Sequence, residues 1–146
     1  MRLGFEDRAE TPPGRRSRDI EDIFGTSLTL SVEPHPNGAT IVIERWDTEQ
    51  TVVMDRYGAE ILSAILLMAR MHCSESTSET IIEEHLFGRF PMTISLIEDS
   101  SPIVTVTTPE DECISLPVHV WDRLYVELTM ACIHAREMTL KGAKMH

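Results

Sequence analysis

The sequence predicts an α+β fold built from two pseudo-repeats, each made of a short helix, three antiparallel strands and a long helix. Three observations predict it. Residues 19–73 and 80–135 repeat one order of patterns. Short runs that alternate apolar and polar residues between turns indicate strands. Each copy then closes on a longer run with apolar residues three and four positions apart, as in a helix. We expect the copies to pack as one antiparallel sheet with both long helices on one face.

The first copy opens on an acidic stretch that ends in Phe-Gly. We predict a short helix over residues 19–24, capped by Asp19 and ended by Gly25. Strands over residues 28–32, 40–45 and 51–54 follow, separated by an Asn-Gly turn and an acidic turn. Asp55 then caps a long helix from about residue 56 to residue 72. This helix carries more apolar residues than one face holds, so we expect a second packing surface on it.

The second copy repeats these signals. Thr80 and Glu83 have the spacing of a capping box, and Gly88 ends the predicted short helix. Strands are predicted over residues 92–96, 103–107 and 113–116. Pro117 precedes a long helix from residue 118 to about residue 138, whose narrower apolar stripe indicates a half-exposed helix.

The chain therefore reads as one domain with two flanking segments. Residues 1–18 combine Pro, Gly and scattered charge, and are predicted to form a flexible arm that contains basic residues. Residues 19–138 form a single domain made of the two repeats, and residues 139–146 form a tail.

Composition favours a soluble protein that binds another protein. The chain has 146 residues, with 13 Lys and Arg against 24 Asp and Glu, and a formal net charge of −11. Such a charge keeps a protein dispersed and repels nucleic acid and anionic lipid. The longest apolar run, residues 64–69, is far too short to span a membrane. An odd number of cysteines without CxxC spacing and the lack of an apolar leader predict a cytoplasmic location.

Two known families share partial features with the chain. The order of elements is similar to that of the double-stranded-RNA-binding domain, and residues 112–117 leading into Trp121 are similar to the last strand and helix of PC4-type single-strand-binding coactivators. The first family carries Lys at the start of its second helix, where this chain has residues 55–60 and 117–119. The second lines its strands with basic and aromatic residues, where this chain has mostly Thr, Ser and Glu. We assign the chain to neither family.

No catalytic residue and no cofactor is predicted. The chain lacks the GxSxG, P-loop and HExxH motifs, and its seven glycines offer no phosphate-binding loop. An enzyme would have to use His72, His119 or His134 in a pocket that perturbs their pKa values. No metal site is predicted either. His72, Cys73, Cys132 and His134 are weak candidates, because the ends of the two long helices can bring two His and two Cys together only if the halves are related by symmetry.

The favoured interpretation is a non-catalytic protein-interaction module with a regulatory or inhibitory role. Its predicted partner-binding residues are acidic: Glu83, Glu84, Glu98, Asp99, Glu110, Asp111 and Glu112. In the extreme, such a surface imitates the phosphate backbone and blocks a DNA-binding protein. We also predict a homodimer through Leu67, Met68 and Met71 of the first long helix. The alternative is a nucleic-acid-binding protein that uses Arg15, Arg16, Arg18, Arg45 and Arg56.

Overall fold

A computed structural model describes residues 16–36, 38–72, 80–86, 88–97 and 101–144 as two four-stranded antiparallel sheets and two long helices. The first sheet contains, in order, β1 (Arg16–Glu21), β2 (Ser27–His35), β3 (Gly38–Arg45) and β4 (Gln50–Asp55). The second contains β5 (Thr80–His85), β6 (Met92–Ile97), β7 (Ile103–Thr107) and β8 (Cys113–Pro117). Helix α1 (Arg56–His72) follows β4, and α2 (Trp121–Lys144) follows β8 after a short 3-10 helix, Val118–Val120. The fold is α+β, as predicted.

The predicted single sheet is wrong, because the described strands of each half pair with one another and form two separate sheets. The two predicted short helices are also wrong, since these segments are the edge strands β1 and β5. The predicted caps Asp19, Thr80 and Glu83 lie within these strands, and the predicted helix end Gly25 lies in a turn. Asp22 Oδ1 accepts hydrogen bonds from the backbone N–H groups of Phe24 (2.8 Å) and Thr26 (2.9 Å), and Gly25 has a φ of 89°. An acidic residue followed by a glycine with positive φ suits a hairpin turn as well as a helix end. Gly88 has the same φ of 89° after β5.

The remaining predicted elements are confirmed to within a few residues. Six strands and both long helices lie where alternation and spacing place them. Helix α2 extends to Lys144, so residues 139–144 continue the helix instead of forming a separate tail. The two halves share their order of four strands and a helix, and equivalent turns contain the positive-φ residues Glu49 (φ 56°) and Asp111 (φ 63°).

The core lies between the sheets and the helices. Helix α2 packs on the first sheet over β2 and β3, whereas α1 packs on β3, β4 and β6 and also against α2. Strand β3 contributes alternate residues to this core: Ile41 and Ile43 are fully buried, and Val42 between them is half-buried. The helix of the second half therefore covers the sheet of the first half, so neither half can bury its own apolar face alone.

Side chains from the first half hold the backbone of the second. Arg45 and Gln50 are cross-strand partners at the ends of β3 and β4. Arg45 Nη1 donates a hydrogen bond to the Ser115 carbonyl oxygen (2.7 Å), and the Ser115 N–H donates to Gln50 Oε1 (3.1 Å). In the opposite direction, Arg89 Nη2 donates to the Ala39 carbonyl oxygen (2.8 Å). These bonds satisfy backbone groups where the two sheets meet, and they fix the position of one sheet against the other.

Candidate functional site

A groove of about 440 Å³ runs between the outer strand β1 and helix α2. Strand β1 lies at one edge of the first sheet and pairs with β2, and no other described strand lies along its second edge. Leu30 and Val32 of β2 line the groove from the sheet side. We call this groove the β1–α2 slot and define it by Arg16, Arg18, Val126, Met130 and Ile133.

The helix side of the slot is an uncovered apolar strip. Val126, Met130 and Ile133 lie four and three positions apart on one face of α2, and their side chains are 53%, 58% and 49% exposed. They line the groove together with Arg16 and Arg18 of β1, but they lie on the side of α2 away from its buried residues Leu124 and Leu128. The apolar strip therefore stays in contact with water.

The strand side of the slot is made by alternate residues of β1. Ile20 is 3% exposed and points into the core, so Arg16 and Arg18 lie on the same face, below α2. Arg18 Nε lies 3.9 Å from Glu127 Oε2, and the Arg18 side chain is largely exposed. Ser17, Asp19 and Glu21 occupy the opposite face. The arginine stems can pack against an apolar ligand while their charged ends stay in water.

The predicted acidic partner-binding residues lie at separate places around the second sheet. Glu84 is exposed on β5 near the sheet end that carries the turn with Glu110, Asp111 and Glu112. Glu83 is also exposed, but it lies on the other face of β5, the face it shares with its buried cross-strand neighbour Ile94. Glu98 and Asp99 lie outside the described residues, and the strands that flank them meet at the opposite end of the sheet. The acidic residues that the structure describes do not form one continuous face.

The arginines of the nucleic-acid alternative are also dispersed. Arg15 lies outside the described residues, and Arg16 and Arg18 line the slot. Arg45 lies at the other end of the first sheet. Its guanidinium donates to the Ser115 carbonyl oxygen and forms an ion pair with Asp47 (3.0 Å). Arg56 begins α1 and stacks over the Tyr57 ring at 4.6 Å. The described arginines therefore do not line one surface.

Helix α1 exposes part of the predicted dimer interface. The side chains of Leu67 and Met71 are exposed, whereas Met68 is half-buried and packs against the core. Much of the apolar surplus of this helix is buried between β3, β4, β6 and α2. The homodimer through Leu67, Met68 and Met71 stays a prediction.

The candidate metal ligands do not form a cluster within the described part of the chain, where no three His, Cys, Asp or Glu side chains lie close enough to hold an ion. Cys73 and the side chain of His72 lie outside that part. Burial, with a further contribution from the Glu60 charge, raises the pKa of the Cys132 thiol to about 11. The thiol therefore stays protonated at neutral pH. His134 lines the β1–α2 slot and lies 3.8 Å from Glu137.

Two Asp–His pairs join the halves at equivalent positions. In one pair the first half supplies the Asp after its edge strand, and in the other the second half supplies the His at the end of its edge strand. Asp22, after β1, lies 2.8 Å from Nε2 of His119 in the 3-10 helix before α2. His85, at the end of β5, places Nε2 3.2 Å from Asp55 Oδ1, just before α1. Asp55 Oδ1 also accepts the Gly58 N–H (2.7 Å), which confirms its predicted capping of α1.

The Asp22–His119 pair does not have the geometry of a catalytic triad. In a triad, the acid contacts one ring nitrogen and the nucleophile contacts the other. Here both Asp22 and the Thr26 hydroxyl (3.1 Å) contact the same atom, Nε2 of His119. The geometry is that of a structural contact, in which His119 also packs against the Phe24 ring at 4.7 Å.

Two carboxylates are expected to make the protein sensitive to acid. Burial raises the pKa of Asp22, but the Thr26 and Phe24 N–H groups and the His119 charge outweigh it, so the pKa lies below the ordinary 3.8. The pKa of Asp47 is also lowered, because bonds from Arg45 and the Ser27 N–H outweigh burial. A lowered folded-state pKa stabilises the fold above pH 3.8, and this contribution is lost as the pH falls through the lowered pKa.

Urea unfolding at a series of pH values measures this effect. Asp22→Asn keeps an oxygen for the turn but removes the charge, so the free energy of unfolding should fall less steeply below pH 3.8 than in the wild type. Glu110→Gln, at an exposed turn, is the control. If the free energy of unfolding of Asp22→Asn fell with pH as steeply as that of the wild type, Asp22 would not be a source of the acid sensitivity.

Sequence reasoning missed the β1–α2 slot. The predicted stripe of α2 contains its buried residues, of which Trp121, Leu124 and Leu128 are examples. Val126, Met130 and Ile133 form a second row at helical spacing on the opposite side of the helix from that stripe. This second row was the available signal. Its exposure depends on which strand α2 covers, and local sequence does not encode that.

The comparisons with known proteins do not assign a role to this site. The sequence matches no protein family, and a search of curated proteins finds no match either. Neither long helix combines the length and apolarity that crossing a membrane requires, within the residues that the structure describes.

Proposed function

We propose that the protein is a non-catalytic interaction module that binds a protein partner in the β1–α2 slot. The observation that supports this proposal is the exposed row of Val126, Met130 and Ile133 that lines the groove beside β1, the edge strand among the described strands of the first sheet. Contiguous exposed apolar surface beside polar residues is typical of protein-binding sites. The edge of β1, along which no other described strand lies, offers backbone donors and acceptors of the kind a partner strand uses.

The free energy of burying apolar side chains favours a binding role for this row over a purely structural one. Each apolar side chain that leaves water contributes roughly 1.5–3 kcal/mol when fully buried. In the free protein, about half of each side chain of the row stays in water, so part of this free energy is left for a partner to gain. We also propose that binding has a regulatory or inhibitory effect on the partner, and the partner's identity determines which of the two.

Comparative pull-down from the native cell tests the proposal. The double variant Met130→Gln with Ile133→Gln keeps side-chain length and helix propensity but removes apolar surface. We expect it to lose most of any partner that the wild type recovers in stoichiometric amount after nuclease treatment. Ile82→Thr is the matched control, because Ile82 is 59% exposed on the edge strand β5, outside the slot.

The control variant should recover the partner as well as the wild type does. Equal recovery by the double variant would reject the slot as the binding surface. Loss of partner in both variants would show that the effect comes from general surface change and would also reject it. Circular dichroism of all three proteins checks that they remain folded.

A further inference from the structure

We infer that two copies of the chain form a symmetric dimer in which the helix layer of one copy packs face to face on the helix layer of the other. The helix layer consists of α1 and α2, and its outer surface is the side that faces away from the sheets. This inference goes beyond the proposed function, because it concerns the protein before a partner binds. Four features lead to it: the apolar rows of the helices, their charge, their match under a two-fold axis and their area.

Helix α1 turns an apolar row away from the sheets. Its residues Leu62 and Leu66 are buried in the core. Helical spacing puts Tyr57, Ala64 and Met71 on the opposite side, at intervals of seven residues, and all three are exposed. This row contains no charged side chain.

The exposed row of α2 points in the same direction. Val126, Met130 and Ile133 lie on the side of α2 away from its buried residues. Both helices pack on β3, so they lie side by side on one face of the first sheet. The two rows therefore form one apolar surface on the outside of the helix layer.

The helix layer is neutral, although the chain is strongly acidic. Residues 56–72 and 121–138 contain four arginines and four carboxylates, namely Arg56, Arg70, Arg123 and Arg136 against Glu60, Asp122, Glu127 and Glu137. The chain as a whole has a net charge of −11, so its acidic excess lies outside these two segments. A second copy that approaches through its own helix layer therefore avoids most of the repulsion between like-charged molecules.

Two ion pairs fix the helices against each other. Arg136 Nη2 lies 2.6 Å from Glu60 Oε1 near the start of α1, and Arg70 Nε lies 2.9 Å from Asp122 Oδ1 near its end. The start of α1 is thus beside the later part of α2, and its end is beside the start of α2. The helices are antiparallel, and the middle of α1 lies beside the middle of α2.

A two-fold axis across the middle of both helices makes this surface complementary to itself. The axis sets each helix antiparallel on its own copy, and residues equally far from the axis lie opposite each other. Ala64 then lies opposite Ala64 of the second copy, where its small side chain allows a close approach of the helices. Tyr57 lies opposite Met71 of the second copy, and Val126 lies opposite Ile133. Apolar side chains therefore meet along both helices.

The charges beside the row of α2 also match under this axis. Asp122 and Arg136 lie on the side of α2 that faces α1, because both form ion pairs with that helix. Arg123 and Glu137 lie towards the slot: Glu137 lines it, and Arg123 pairs with Glu127, which also lines it. The axis brings Asp122 near Arg136 of the second copy, and Arg123 near Glu137. Opposite charges meet on both sides of the row.

The area of the contact suits a dimer that dissociates in the micromolar range. A 17-residue helix is about 25 Å long, and two helices about 10 Å apart give a footprint of about 20 by 25 Å on each copy. Two such footprints total about 1,000 Å², which is near the lower limit for a specific interface. The dimer should therefore depend on protein concentration.

Sedimentation velocity of the full-length protein from about 1 to 100 μM tests the inference, and we expect the dimer to replace the monomer over this range. Leu67→Glu should raise the dissociation constant at least about tenfold, because it buries a carboxylate in an apolar contact. Leu67 lies seven residues after Glu60 and so on the side of α1 towards α2, between the two rows.

Ile97→Glu is the matched control. Ile97 and Leu67 are both 49% exposed, and both variants gain the same charge. Ile97 ends β6 on the face of the second sheet opposite to its buried residues, away from the helix layer. The control should dimerise as the wild type does, and circular dichroism checks that both variants remain folded.

A charge exchange tests the antiparallel arrangement. Arg123→Glu alone or Glu137→Arg alone brings like charges together across the dimer and should raise the dissociation constant about threefold to tenfold. The double variant restores opposite charges and should return to within about twofold of the wild type. The two positions lie about 21 Å apart on one helix, so the rescue can act only between copies.

Several results would overturn the inference. A wild type that stays monomeric at about 100 μM would refute the dimer. A dimer that Leu67→Glu leaves intact would place the contact elsewhere, and equal weakening by Ile97→Glu would show a general effect of added charge. Lack of rescue in the double variant would reject the antiparallel arrangement.

The proposed function can fail separately. Leu67 lies outside the slot, so Leu67→Glu should recover the partner in the pull-down as well as the wild type does. If the wild type is monomeric and the pull-down depends on Met130 and Ile133, the proposed function stands and this inference falls. If the dimer behaves as expected and the pull-down recovers no partner, this inference stands and the proposed function falls.

Discussion

Gly88→Ala should lower the free energy of unfolding by about 3–5 kcal/mol, whereas Gly25→Ala, at the equivalent turn, should lower it by about 1–2 kcal/mol. Both glycines have a φ of 89°, so alanine is strained at either position. They differ in their surroundings. A Cβ at Gly25 meets no atom within 4 Å, whereas a Cβ at Gly88 overlaps Asp55 Oδ2.

The larger effect at Gly88 follows from the position of Asp55. Its carboxylate is buried, caps α1 through the Gly58 N–H and contacts Nε2 of His85. A methyl group at Gly88 must displace this carboxylate, which weakens the cap and leaves buried polar groups without partners. The strain at Gly25 has no such consequence.

Urea unfolding followed by circular dichroism measures both variants under one condition. Asp55→Ser shortens the side chain but keeps an oxygen that can cap the helix. Combined with Gly88→Ala, it should cost less than the sum of the two single changes, because the overlap is removed. Equal destabilisation by Gly88→Ala and Gly25→Ala would contradict the contact with Asp55.

Local signals in the sequence predicted most of the secondary structure. The alternation in β3, where Ile41 and Ile43 are buried, is direct evidence of a strand with one face in a core. Gly25 and Gly88, which were predicted to end short helices, both have positive φ. The helix predictions that relied on those glycines failed because Asp22 uses its carboxylate to close a turn. Whether such a turn ends a helix or joins two strands depends on whether β2 is available to pair.

The site depends on packing between the halves and was not predictable locally. Helix α1 has the larger apolar surplus, but it lies against three strands and α2, which absorb most of that surplus. Helix α2 has the narrower stripe and packs on the first sheet through it, so that Val126, Met130 and Ile133 on its other side stay exposed. Exposure is therefore set by the crossing of a helix from one half over the sheet of the other, which is a long-range property.

The core position of Trp121 leads to the second large prediction. Trp121 begins α2, its side chain is 1% exposed, and its Nε1–H donates to the Leu116 carbonyl oxygen (2.8 Å) at the end of β8. Trp121→Ala should lower the free energy of unfolding by about 3–5 kcal/mol, because it leaves a large cavity and an unpaired buried carbonyl. Urea unfolding followed by circular dichroism measures the loss.

Trp46 is the matched control, because it differs from Trp121 mainly in burial. It also donates an Nε1–H bond, to Thr29 Oγ1 (2.7 Å), but its side chain is 48% exposed. Trp46→Ala should therefore cost about 1–2 kcal/mol, since water fills the vacated space and the Thr29 hydroxyl still bonds Asp19. Equal losses for the two variants would mean that Trp121 does not hold β8 and α2 together in the core.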